Sequence, residues 1–175
     1  MPPLQQILGP WHEFYALLGA ASATMVGLLF VAASVASGVF SQARPAPLRM
    51  FLSASVVHFG SILAASLLAL APIPSAALFG AIVAACGSFG VGYSAMGWRD
   101  TVRDGVAKNV DLEDRIWYAV LPALGYLCET ASGVALALRP EFGAPALALS
   151  MAFLLVVAIH NAWDITVWSV TRKSE

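Results

Sequence analysis

Five long apolar runs, parted by short polar breaks, leave this chain few ways to fold. They cover about residues 14–39, 51–70, 77–98, 116–138 and 146–168. A helix needs about 20 apolar residues to cross the hydrocarbon core of a bilayer, and each run meets that length. The composition agrees. The chain has 175 residues, 59% hydrophobic and only 11% charged, with a mean hydropathy of +0.80. Soluble domains carry about 25% charged residues, so this chain has too little polar surface to cover itself in water. The expected fold is therefore all-α: one integral membrane domain of five transmembrane helices.

The breaks are chemically sensible. Ser41-Gln42-Ala43-Arg44-Pro45 follows the first run, Pro72 and Pro74 follow the second, and Arg139-Pro140 follows the fourth. Pro145 is expected near the first position of the fifth helix, where its missing N–H costs nothing. The N-terminus carries no Lys or Arg before the first run, so it lacks the positive start of a signal peptide, and that run reads as a retained helix.

Lys and Arg set the orientation. With five spans, Arg44, Arg49, Arg99, Arg103, Lys108, Arg115, Arg172 and Lys173 fall on one side, and only Arg139 on the other. That places the N-terminus outside and the C-terminus in the cytoplasm. Trp11, Trp98, Trp117 and Trp168 sit at span ends, as interfacial aromatics do. The loop at residues 99–115 mixes four basic with five acidic residues and reads as a self-neutralising solvated segment. Asp111 and Asp114 suit the start of the fourth helix, and Gly105 the end of an extension of the third. A net charge of -1 offers no footprint for nucleic acid. Cys86 and Cys128 lie inside apolar runs and are expected to act as small buried hydrophobes, not as a disulfide.

Small residues mark packing faces. In the third run Gly80, Gly87 and Ser94 recur every seven residues, with Gly90 and Gly97 in a second heptad-spaced position. The first run has Gly19, Ala23 and Gly27 at four-residue spacing. In lipid, such stripes let helix backbones approach closely. They predict packing within the chain, with a homo-oligomer seam as the alternative use.

Ionisable groups inside the membrane cost about 2.5–3.5 kcal/mol at the helix centre on insertion scales, and so mark candidate sites. Glu129 lies mid-span in the fourth run, on one face with Pro122, Tyr126 and Gly133. Desolvation disfavours a bare carboxylate there. His58 lies in the second run, flanked by Ser55 and Ser61. His160, Asn161 and Asp164 lie in the fifth, where the four-residue spacing of His160 and Asp164 suits a carboxylate orienting an imidazole. Counting from the cytoplasmic span ends puts both histidines about 12 Å deep, with Glu129 a few Å deeper. The expectation is one proton or cation pathway built from Glu129, His58, His160, Asp164 and Asn161. The bland alternative is interhelical hydrogen bonding, worth about 0.6 kcal/mol per bond. No cofactor is predicted. Haem held between His58 and His160 is the one cofactor option. No ligand spacing supports a metal, for which only Cys128 and Glu129 could join the histidines. His12 and Glu13 read as polar anchors at the outer end of the first helix. Gly87-Ser88-Phe89-Gly90-Val91-Gly92 has no strand before it, so it cannot serve as a dinucleotide loop.

The first helix reads Trp11-His12-Glu13-Phe14-Tyr15, then Gly19 to Ala23, then Gly27-Leu28-Leu29-Phe30-Val31-Ala32. In this it resembles a group of small uncharacterised polytopic proteins of the bacterial inner membrane. The resemblance covers the first span. It implies a multi-pass protein of that membrane and carries no activity or site residue.

Three functions fit these readings. The first is a small channel- or transporter-like protein with a proton- or cation-responsive cluster around Glu129. The second is an accessory subunit of a larger membrane complex. The third is a bis-histidine haem protein.

Overall fold

The computed structural model describes residues 3–39, 46–103 and 112–171, and the side chains of 3–34, 54–99, 102–103 and 112–167. Arg44, Gly105, Lys108, Asp111, Arg172 and Lys173 lie outside them, as do the side chains of Arg49 and Trp168. The described elements are all helical: α1 (Leu4–Leu8), a 3-10 turn (Gly9–Trp11), α2 (His12–Val39), α3 (Ala46–Leu70), α4 (Ala76–Arg103), α5 (Leu112–Arg115), a π turn (Ile116–Val120), α6 (Leu121–Leu138) and α7 (Pro140–Thr171). Four helical stretches are long and apolar enough to cross a membrane: Leu4–Ser34, Ala76–Arg99, Leu112–Leu138 and Pro140–Val167. Ala54–Leu70 is a fifth, shorter apolar helix.

Local chemistry sets the breaks. α3 stops at Leu70, ahead of Pro72 and Pro74. Ser75 restarts the chain, its hydroxyl accepting the Leu78 N–H at 3.3 Å as an N-terminal cap. One residue, Arg139 (φ -144°, ψ 77°), joins α6 to α7. The fifth long helix thus begins at Pro140, not near Pro145, which lies inside it. Pro140 takes the first helical position, where no N–H is needed. Gly143 lets this hairpin close, because a Cβ there would meet the backbone of Leu136. The expected tail before the first span is also structured. α1 buries Leu4 and Leu8 in the main core, beside Tyr15 of α2 and Ala144 of α7.

The glycine stripe of α4 is spent inside the protein, on an antiparallel seam with α6. A Cβ on Gly80 would collide with the Gly133 carbonyl and Ala137, and one on Gly87 with Thr130. Gly133 answers from α6, facing Gly80 and Ala84. Backbone-to-backbone approach of this kind substitutes for the missing hydrophobic drive in lipid. Gly19 packs on Ser66 of α3, where an added Cβ would lie 3.0 Å from Ser66 Cβ. Three positions of the two stripes lie off the seams. Ala23 is exposed, and Gly27 and Gly97 have open space where a side chain would be. Cys86 and Cys128 are free thiols on exposed helix faces, not buried as the sequence suggested. On each helix the opposite face holds the core, leaving them toward the surroundings.

Candidate functional site

Tyr126 lies at the centre of the polar interior. It sits on α6 and is fully buried. Its ring occupies the slot left by Gly90 of α4, since a Cβ on Gly90 would fall on the ring carbons. Its hydroxyl reaches across to α3, 2.8 Å from His58 Nδ1 and 3.0 Å from Ser61 Oγ. Buried tyrosines need such a partner for the O–H. Ser61 in turn donates to the His58 carbonyl at 2.8 Å.

One arrangement of protons satisfies all three contacts. A hydroxyl has one to give. Ser61 spends its proton on the His58 carbonyl, so Tyr126 donates to Ser61 Oγ. Tyr126 then accepts from His58, which places the imidazole proton on Nδ1. Nε2 keeps its lone pair and can take a further proton.

Glu129 follows Tyr126 by three residues on the same buried face of α6, with Pro122, Gly125, Ser132, Gly133 and Leu136. It is 2% exposed. The neighbouring hydroxyls of Thr130 and Ser132 donate to the carbonyls of Tyr126 and Cys128, four residues back. Ser55, one turn before His58, is also buried, and its hydroxyl has no partner among the described residues.

A second polar group lies further along α6. Pro122 has no N–H for the Tyr118 carbonyl, and its ring would press on it in a regular helix. The chain widens instead: Leu121 N–H bonds the Ile116 carbonyl, five residues back. This π turn presents Trp117 and Tyr118 to α7. The His160 ring stacks flat on Trp117, with centroids 3.6 Å apart and planes at 10°. Asn161 Nδ2 donates to the Trp117 carbonyl at 3.1 Å. The Tyr118 hydroxyl donates to Asp164 Oδ2 at 2.8 Å and lies 3.2 Å from the Asn161 carbonyl. His160 Nδ1 and Asn161 Oδ1 are buried without a partner among the described residues.

The expected single cluster is therefore two. His58 is held by Tyr126 and His160 by Trp117, nine residues apart on the same helix, about 13 Å by helical rise. Depth alone did not decide which groups meet: Phe59 of α3 packs with Ala158 and Ala162 of α7, yet the two imidazoles have different partners. Asp164 bonds Tyr118 in place of His160. Tyr126, Tyr118 and Trp117 were not singled out by the sequence as site residues. The available signal was Pro122: it frees a carbonyl beside two aromatics that border the membrane core. His12 and Glu13 lie side by side at 3.7 Å on the exposed start of α2, as anchors would. No three of His, Cys, Asp and Glu gather as a metal site among the described residues.

Comparison with protein-family models, curated proteins and solved structures finds no match to this chain.

Proposed function

We propose that this chain is a small channel- or transporter-like protein, crossing the membrane five times with its C-terminus in the cytoplasm, in which His58, Tyr126 and Glu129 exchange protons. One observation carries the reading: Tyr126 links the imidazole of one helix to the face of another that carries a buried carboxyl. Buried ionisable groups in a membrane are costly and gather on proton and ion routes. The hydrogen-bond chain has direction, from His58 through Tyr126 and Ser61 to a backbone carbonyl. The carbonyl at its end cannot take a proton, so His58 gains and releases its extra proton at Nε2 while the Nδ1 proton stays hydrogen-bonded to Tyr126. The Asn161–Tyr118–Asp164 group, about two turns away at the π turn before α6, supplies the next polar step.

Proton flux into liposomes holding the purified protein tests this. Wild type should collapse an imposed pH gradient. Glu129→Gln and Tyr126→Phe should each slow it by roughly tenfold or more, the effect of about 1.4 kcal/mol on a barrier. Ser88→Ala, which removes an exposed hydroxyl bonded within its own helix, should leave flux unchanged. Flux that is absent in wild type, or equal in all four proteins, sinks the reading.

A further inference from the structure

The outward face of α4 differs from the other outward faces. On α2 that face carries Leu17, Leu28 and Phe30, and on α7 Leu149, Val156 and Trp163, large side chains that suit lipid tails. On α4, Ala81, Ala85, Ser88, Gly92 and Ala95 form an exposed line at four- and three-residue spacing. Two features flank this line. On one side Phe89 and Met96 stand out as a ridge, 70% and 56% exposed. On the other lies an apolar groove of about 630 Å³, between α4 and the continuous helix formed by α5, the π turn and α6. Val91, Ala95 and Trp98 form its α4 wall, and Ala119, Ala123 and Leu127 lie on the facing wall.

We propose that this face joins two copies of the chain in a parallel dimer, with the ridge of each copy seated in the groove of the other. Helix geometry makes the face self-complementary. At about 100° per residue from Gly92, Phe89 and Met96 lie about 60° and 40° to one side. Ala95, Val91 and Trp98 lie about 60°, 100° and 120° to the other. A two-fold axis along the membrane normal sets the ridge side of one copy against the groove side of the second. It also keeps equal residue numbers at equal depth. Phe89 is then about 3 Å in depth from Val91, and Met96 about 1.5 Å from Ala95, so both ridge residues enter at the level of the groove.

The area is that of a stable dimer. Phe89, Met96, Ile116, Val120, Leu124 and Leu127 are the large residues of this face, and they are 39–70% exposed. Covering them at about 100 Å² each, with the line of small residues between, removes about 1,500 Å² over both copies. Standard stable interfaces bury about 1,200–2,000 Å². In lipid the gain comes from close packing, which the small residues at the crossing permit. Arg99 continues the line about 10 Å past Gly92, where two helices crossing at about 40° have parted and the two guanidiniums stay clear of each other.

Single-molecule photobleaching of labelled protein in large liposomes, over a range of protein-to-lipid ratios, tests this. Wild type should pass from monomer to dimer and no further. Gly92→Leu should weaken that association at least tenfold. Nothing in the protomer lies within 4 Å of a Cβ at Gly92, so the fold is spared. Gly27→Leu, at an equally open glycine of α2, should associate as wild type does. Phe89→Ala, which shortens the ridge, should also weaken association. Copper-catalysed oxidation gives a second readout. With Cys86 and Cys128 replaced by Ser, Gly92→Cys should yield a disulfide-linked dimer. Wild-type Cys86, about 120° around the helix from Gly92, should yield none. A wild type that is monomeric at every ratio overturns the proposal. So does association unchanged by either Gly92→Leu or Phe89→Ala, or crosslinking through Cys86 equal to that through Gly92→Cys. A monomer that retains lipid in the groove would assign the groove to lipid and overturn it too. The proposal rests on the membrane reading but not on proton exchange, and association is read without any flux, so the two can fail separately.

Discussion

Tyr126 illustrates how one side chain can organise three helices. Its backbone is in α6, its ring fills the Gly90 slot of α4, and its hydroxyl is bonded to two groups of α3. Removing only the hydroxyl leaves His58 Nδ1 and Ser61 Oγ without that partner in the interior. An unsatisfied buried polar group costs about 1–3 kcal/mol. Tyr126→Phe should therefore destabilise the protein by that amount, measured by unfolding in mixed micelles. An unchanged stability would mean that the hydroxyl is not held as described. Adding Ser61→Ala to Tyr126→Phe should cost less than the sum of the two single changes, because they share one network.

At the scale of elements, the α4–α6 seam is decided by backbone proximity. Gly87→Ala forces a Cβ to 2.6 Å from Thr130 N and Oγ1, so the helices must separate along the seam. A loss of about 1–3 kcal/mol is expected, the usual cost of overpacking. Gly27→Ala is the matched control. Nothing lies within 4 Å of its added Cβ, and alanine is the better helix former by about 1 kcal/mol. It should be neutral or stabilising in the same unfolding assay. Equal losses at both positions would remove the seam from the account. The glycine stripe was legible in the sequence, and so were the breaks at Pro72 and Arg139. The exact use of each glycine was not. Heptad spacing groups Gly97 with Gly90, but the seam has passed from α6 by that point and Gly97 meets open space. Pro145 looked like a helix start because prolines usually are. Pro140 had already taken that role, and the hairpin through Arg139 is tighter than composition suggests. The site residues were visible as polar groups in apolar runs. Which of them meet depends on azimuth, and the π turn at Ile116–Val120 changes the azimuth of everything before it on that helix. No periodicity in the sequence announces such a turn.

Across the whole molecule, the arrangement makes a topological prediction. An antiparallel bundle joined at Ser75 and Arg139 puts these two connections at one end, and puts the start of α5 at the other. Single cysteines placed at Ser75 and at Glu113, with Cys86 and Cys128 replaced by Ser, should react with an impermeant maleimide from opposite sides of the membrane. Labelling from the same side would contradict the five-span reading. The polar interior makes the sharper claim: a directional hydrogen bond from His58 to Tyr126 across two helices. Nitrogen-15 NMR of histidine-labelled protein in bilayers reads it directly. The account predicts that His58 carries its proton on Nδ1, that Tyr126→Phe shifts this resonance, and that His160 on Trp117 is unmoved. A His58 protonated on Nε2, or one indifferent to Tyr126→Phe, would contradict it.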